Sequence, residues 1–255
     1  MATVNLHAPA DRTDLPLVLL PPFPLDSRVW GDVSGLLGGD VITVDAPGFG
    51  GQTDSDPSLV SYARAVLAAL DARDVHRFVV AGNSVGGYVA ITLADLAPDR
   101  VAGLGLVGTK AGPGPDESAG RLAMAAAADA GTPVAELLAP MVAKLVSPTS
   151  RATVPGLGDR VDAWAAEASA EGVAWLQRAM ADRPDRLHVL ERTGVPATIV
   201  YGLEDPLSSP EIQQEMAGAL GVEAIGVTGS GHLVPLENPG AVADALRATW
   251  DAARR

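Results

Sequence analysis

A chain of 255 residues, 47% hydrophobic and 19% charged, is long enough to bury a core and too apolar for disorder, so it forms one large domain or a domain with an insertion. Its net charge of −13, with 18 basic residues scattered rather than clustered, excludes a basic nucleic-acid or anionic-membrane surface, and the lack of cysteine excludes disulfides, thiolate metal sites and cysteine nucleophiles. Met1 to Asp14 has no basic-then-apolar leader pattern and no apolar run reaches membrane-spanning length, so the expectation is a cytoplasmic protein acting on neutral or apolar small molecules.

In chain order, Thr3 to His7 alternates like an edge strand, and Leu17 to Leu20 is a short buried strand that runs into Pro21-Pro22-Phe23-Pro24-Leu25. Val41 to Val44 is a third strand, followed by the turn Asp45-Ala46-Pro47-Gly48-Phe49-Gly50-Gly51. Ser58 to Ala72 repeats apolar residues at helical spacing through Tyr62, Val66, Ala69 and Leu70. Phe78 to Ala81 is a continuous apolar strand, Val85 to Leu96 a helix ended before Pro98, and Val101 to Val107 another strand. Ala111-Gly112-Pro113-Gly114-Pro115 reads as a linker into about seventy Ala-rich helical residues that carry Met124, Met141, Trp164, Trp175 and Met180. These large side chains either pack helices together or line an apolar pocket. The alternation resumes with a strand at Ala197 to Tyr201, a helix at Glu211 to Leu220, a strand at Glu223 to Thr228 and a closing amphipathic helix at Ala241 to Ala253.

This order predicts an α/β protein with a mostly parallel sheet and helices on both faces. Residues 1–110 form the first part of its core, 111–190 an inserted helical cap and 191–255 the second part. No internal repeat is present.

Between the Phe78 strand and the Val85 helix, Gly82-Asn83-Ser84-Val85-Gly86 fits G-x-S-x-G, the turn that lifts a serine nucleophile above a sheet. A turn this sharp strains the serine backbone and brings the flanking chains so close that only glycine fits at 82 and 86. The following helix start favours negative charge at Ser84. The competing reading is a plain Gly/Ser turn, so the serine needs partners. His7, His76 and His188 read as ordinary surface or boundary residues; His232, in Thr228-Gly229-Ser230-Gly231-His232 just after the last strand, is placed to act as a base. Asp205, in Tyr201-Gly202-Leu203-Glu204-Asp205-Pro206, is the candidate to orient it, with Glu204 as neighbouring rival. Loops at the carboxyl ends of parallel strands converge, which would gather Ser84, Asp205 and His232. No Gly-Lys-Ser/Thr phosphate loop and no close set of histidines is present, so neither a nucleotide, a metal nor any other cofactor is expected.

With GNSVGG, DAPGFG, YGLEDPLSSP and GSGHLVPLENP in this order, the chain resembles the α/β-hydrolase superfamily over nearly its whole length. FPLDSRVW, VGTKAGPGPDES and RAMADRPDR are similar to small esterases and enol-lactonases of the 3-oxoadipate enol-lactonase type. The resemblance implies the α/β-hydrolase fold, a Ser84–His232–Asp205 triad, a small ester or lactone substrate, no cofactor, and oxyanion donors at the backbone N–H groups of Phe23 and Val85. It is compatible with a homo-oligomer. Where family members usually carry His-Gly before the first oxyanion donor, this chain has Pro21-Pro22, which fixes that loop's path. The charge-poor setting of the cap's Trp and Met residues suggests a largely apolar substrate. The same triad could serve carbon–carbon bond hydrolysis, acyl transfer or perhydrolysis, and Pro21-Pro22 raises a third reading, a low-turnover binding protein with the same fold.

Overall fold

The computed structural model describes residues 1–9, 15–114 and 116–255; 10–14, at the end of the Met1 to Asp14 stretch, and Pro115 in the linker stretch lie outside that description. The seven strands of the single sheet are β1 (Asn5–His7), β2 (Leu17–Leu20), β3 (Val41–Asp45), β4 (Phe78–Asn83), β5 (Val101–Val107), β6 (Ala197–Gly202) and β7 (Ala224–Val227). Their order across the sheet is β1-β3-β2-β4-β5-β6-β7, with β1 antiparallel to β3 and every other pairing parallel. Ser84 therefore leaves a strand at the centre of the sheet, whereas β1 sits on the edge, as its alternating pattern requires.

A 3-10 turn at Ser27–Trp30 leads into α1 (Gly31–Leu37), an element that the residue pattern does not announce, because Gly31 and Gly35 weaken the helical signal. The other core helices are α2 (Leu59–Asp71) and α3 (Val85–Leu96), with Ser58 capping the Ser61 N–H of α2 through its hydroxyl. Between β5 and β6 lie α4 (Glu117–Asp129), α5 (Val134–Val142), α6 (Pro148–Thr153), α7 (Leu157–Ala166), α8 (Ala170–Ala181) and α9 (Leu187–Arg192), with no strand among the described residues. After β6 come α10 (Pro210–Leu220), the short α11 (Val234–Glu237) and α12 (Pro239–Ala253).

The strands' alternation divides the core into two layers. Leu17, Leu19, Val79, Ala81 and Val200 meet Trp30 and the α1 and α12 side chains Val33, Leu37, Leu246 and Trp250 on one face. Val18, Leu20, Val80, Leu104 and Ile199 meet α2, α3 and the inter-strand helices on the other. Each such buried aliphatic side chain contributes about 1.5–3 kcal/mol of transfer free energy, enough in sum to hold the carboxyl ends of β4, β6 and β7 as a fixed platform. The linker-like stretch is tied down at its start: Ala111 C=O accepts from Arg186 N–H at 3.0 Å. Among the described residues no helix is long and apolar enough to cross a membrane, and no group of metal-ligating side chains gathers.

Candidate active site

Ser84 stands between the last residue of β4 and the first of α3 with φ 54° and ψ −116°, a backbone conformation that non-glycine residues avoid. The reason is crowding. A Cβ on Gly82 would come within 2.1 Å of Gly86 C, and one on Gly86 within 2.3 Å of the Leu20 carbonyl oxygen. Ser84 N–H donates to Val107 C=O at 3.0 Å, and its own carbonyl accepts from the Thr109 hydroxyl at 2.7 Å. Thr109 is held in turn by Gln213, which donates to its carbonyl at 2.7 Å. The strained turn is thus pinned from β5 and α10.

His232 and Asp205 come from the loops after β7 and β6. His232 Nδ1 lies 2.8 Å from Asp205 Oδ2, both side chains being buried. Asp205 Oδ2 also accepts from the Ser208 hydroxyl at 2.5 Å, and Oδ1 from Leu207 N–H at 2.8 Å. Burial pushes the Asp205 carboxyl up, but the charge and hydrogen bond of His232, with those from Ser208 and Leu207, more than offset it and hold the group below the usual carboxylate range. An ionised carboxylate only accepts, so the contact places a ring proton on Nδ1 and turns Nε2 away from Asp205. Glu204 turns elsewhere, accepting from the Thr149 hydroxyl at 2.6 Å.

Ser84 and His232 line one cavity of about 300 Å³, together with Phe23. Phe23 is buried edge-on to Phe49, with ring centres 6.0 Å apart, in a turn closed by Leu25 N–H donating to Pro22 C=O at 2.9 Å. Val85 is the first residue of α3, so its N–H has no partner within the helix. The structure leaves His7, His76 and His188 away from this cavity; His7 instead sits 2.6 Å from Asp45 near the sheet edge.

Several supporting residues escape motif reading. Asn83 sends its amide to Val107 C=O at 2.9 Å and to His232 C=O at 3.1 Å, tying the serine strand to the histidine turn. Glu237 gathers three backbone N–H groups, from Ser147 at 2.9 Å, Gly231 at 2.8 Å and Leu233 at 3.0 Å, the last two on either side of His232. Only the tight spacing from His232 to Glu237 hints at this in the sequence.

The inter-strand helices complete the cavity. Met124, Met141 and Met180 line it, but the tryptophans do not: Trp175 donates to Ser55 C=O at 2.9 Å, and Trp164 stacks against Arg28 at 4.9 Å and Arg160 at 5.4 Å. The charge-poor wall expected there is corrected by Lys110, Glu117 and Arg121, which face the cavity. The cause is helical phase, because Glu117, Gly120, Arg121 and Met124 recur at i, i+3, i+4 and i+7 and share one face of α4. Burial pushes Glu117 up, but hydrogen bonds from Lys110 and Arg183 and their charges bring it down to about 2.

A strained serine at a strand–helix turn, with a histidine–aspartate pair on later loops of the same parallel sheet, defines a protein of the hydrolase type. The chain belongs to the alpha/beta hydrolase family, whose profile matches residues 17–245. It is 28% identical to a thermophilic esterase from Thermogutta terrifontis, solved with malate bound, covering 99% of this chain and 94% of that one with a TM-score of 0.91. The enol-lactonase from Burkholderia xenovorans LB400 shares the fold at 19% identity, with a TM-score of 0.86 over 98% and 96% of the two chains. A protein of Mycobacterium phage D29, provisionally named a non-heme haloperoxidase, is 27% identical over 92% of this chain and 87% of its own length. Hydrolase is the enzyme class that family and esterase neighbour support.

Proposed function

We propose that this protein is a serine hydrolase of small carboxylic esters or lactones that needs no cofactor. Ser84 Oγ attacks the substrate carbonyl carbon while His232 Nε2 takes its proton. The tetrahedral adduct collapses as His232 hands that proton to the leaving oxygen, giving an acyl-enzyme; water, deprotonated by His232, then releases the acid and restores Ser84. Asp205 holds the imidazole tautomer and stabilises the imidazolium. The N–H groups of Phe23 and Val85 bind the oxyanion, each such donor contributing about 3 kcal/mol to the transition state. Residues 111–190 act as the cap that shields the acyl-enzyme.

The observation that carries this reading is the 2.8 Å His232–Asp205 pair opening onto the cavity that Ser84 lines. A fluorophosphonate probe followed by peptide mapping tests it without requiring the substrate. The expected result is a single adduct on Ser84, absent from Ser84→Ala. A folded protein that takes no label would overturn the reading and favour the low-turnover binding protein. The phage relative's name keeps perhydrolysis as the second reading; adding hydrogen peroxide to the ester assay separates them, since peracid formation outpacing hydrolysis would favour it.

A further inference from the structure

Most of the polar side chains that face the cavity are already engaged with one another. Glu117 takes Lys110 at 2.6 Å and Arg121 at 3.4 Å, and the Ser208 hydroxyl is given to Asp205. Besides Ser84 and His232, two uncharged groups are not engaged. The Tyr88 hydroxyl and the Gln177 NH₂ belong to residues lining the same cavity, and among the described residues neither group has a hydrogen-bond partner. Tyr88 is 7% exposed and Gln177 2%, so neither belongs to the outer surface, yet both polar ends stay open to the cavity.

Both donors are held in place. Helical side chains lean toward the helix N-terminus, so Tyr88, one turn beyond Ser84 on α3, projects toward the serine's end of that helix. The Arg183 guanidinium lies over the Tyr88 ring at 4.3 Å and is itself anchored by Glu117 at 2.6 Å and by the Met180 carbonyl at 2.9 Å, which fixes the ring plane. On α8, Gln177 Oε1 faces Arg121 Nη1 at 3.4 Å. A guanidinium only donates, so the amide oxygen belongs on that side and the NH₂ on the other. Donors that are fixed, buried and unused favour a ligand that brings an acceptor and disfavour one that leaves them unpaired.

We infer that Tyr88 and Gln177 together hold an uncharged oxygen of the substrate, remote from the bond that is cleaved, so that Ser84 acts on oxygenated esters in preference to simple alkyl ones. The inference rests on the reading of Ser84 as nucleophile. A neutral oxygen has two lone pairs, one for the Tyr88 O–H and one for the Gln177 N–H, and it brings no charge to a wall whose ions are already paired. Met124, Met141 and Met180 supply adaptable packing for the carbon chain on either side of it. The cavity of about 300 Å³ restricts the spacing between that oxygen and the ester carbonyl to a few bonds.

The test separates binding from turnover by using Ser84→Ala protein and pairs of esters in which a methyl group replaces one oxygen. Phenyl 4-oxopentanoate is compared by calorimetry with phenyl 4-methylpentanoate, which probes the acyl side, and 3-oxobutyl butanoate with 3-methylbutyl butanoate, which probes the alcohol side. The expected result is a preference of at least about tenfold for the ketone in one of the two pairs. Adding Tyr88→Phe, which removes a single oxygen atom, cuts that preference to about threefold. Adding Gln177→Leu as well turns it in favour of the methyl analogue, because a wall without donors favours the apolar group. Thermal melts check that each variant is folded, and should Gln177→Leu not fold, Tyr88→Phe decides alone. Equal affinity within both pairs, a preference for the methyl analogue in both, or a preference that Tyr88→Phe leaves unchanged would overturn the inference. Failure of Ser84 to take the fluorophosphonate would leave this binding result intact, so the two ideas fail separately.

Discussion

The two walls of the cavity are built by different means. On the sheet side, Ser84 and His232 are positioned by backbone: a glycine pressed against the Leu20 carbonyl, and Asn83, Thr109 and Glu237 each bonded to main-chain groups. On the helical side, α4 and α8 are held by side-chain charge, with Glu117 gathering Lys110, Arg121 and Arg183, and Arg178 pairing with Asp129. Backbone contacts leave almost no slack, whereas ion pairs rearrange when a residue is exchanged. The sheet side is therefore the less tolerant of exchange and the helical side the more adaptable.

Substituting glycine in the two regions breaks the comparison most directly. Gly86→Ala would drive a methyl group to 2.3 Å from the Leu20 oxygen and force β2 and α3 apart, with a loss of more than about 4 kcal/mol in chemical denaturation. Gly120 in α4 has nothing within 4 Å of an added Cβ, so Gly120→Ala should raise stability by about 0.5–1 kcal/mol through helix propensity alone. A similar loss from both would remove the distinction.

A smaller effect, of about 3 kcal/mol, is expected from Glu117→Gln, which leaves Arg183 buried without its counter-charge. Glu117 is held below its ordinary 4.5, at about 2, so its ion pairs stabilise the fold fully above pH 4.5 and fade as the pH falls toward 2. The gap between wild type and variant in urea titrations should accordingly be full at pH 7 and narrow steadily below pH 4.5. A gap independent of pH would mean that shape rather than charge matters there.

A smaller loss than that of Glu117→Gln is expected from Glu237→Gln, which turns an amide NH₂ toward one or both of the N–H groups flanking His232. The expected outcome is kcat reduced about thirtyfold on a simple ester, about 2 kcal/mol, with KM little changed, because the imidazole loses its aim while the pocket keeps its shape. An unchanged kcat would show that the turn holds His232 without help.

How much of this was legible in the sequence depended on range. The strands from Leu17, Phe78, Val101 and Ala197 and the start of α3 at Val85 follow from local patterns, because a strand buried on both faces has to be continuously apolar and the turn at Ser84 has to be glycine-flanked. The convergence of Ser84 and His232 on one cavity was legible through topology. The α1 helix was not, since its formation relies on Val33 and Leu37 packing against α12 rather than on propensity. Nor was the charged wall: Lys110, Glu117 and Arg183 are far enough apart in the chain that only the folded α4 and the segment after α8 bring them together. Arg121 and Met124 did carry a readable signal, the helical phase they share with Glu117.

The hydrogen bonds around Glu237 reach further than the imidazole. The same carboxylate holds Ser147 N–H, the Leu145 carbonyl accepts from both His232 and Leu233 N–H at 3.0 and 3.1 Å, and the Ser147 and Ser150 hydroxyls both donate to Gly229 C=O. The stretch from Leu145 into the first turn of α6 thus forms a seam with the histidine turn. A chimaera that exchanged residues 111–190 for a foreign helical segment would take away half of the seat on which His232 rests. Grafts intended to change substrate choice should leave Leu145 to Ser150 in place and replace only the helices on either side.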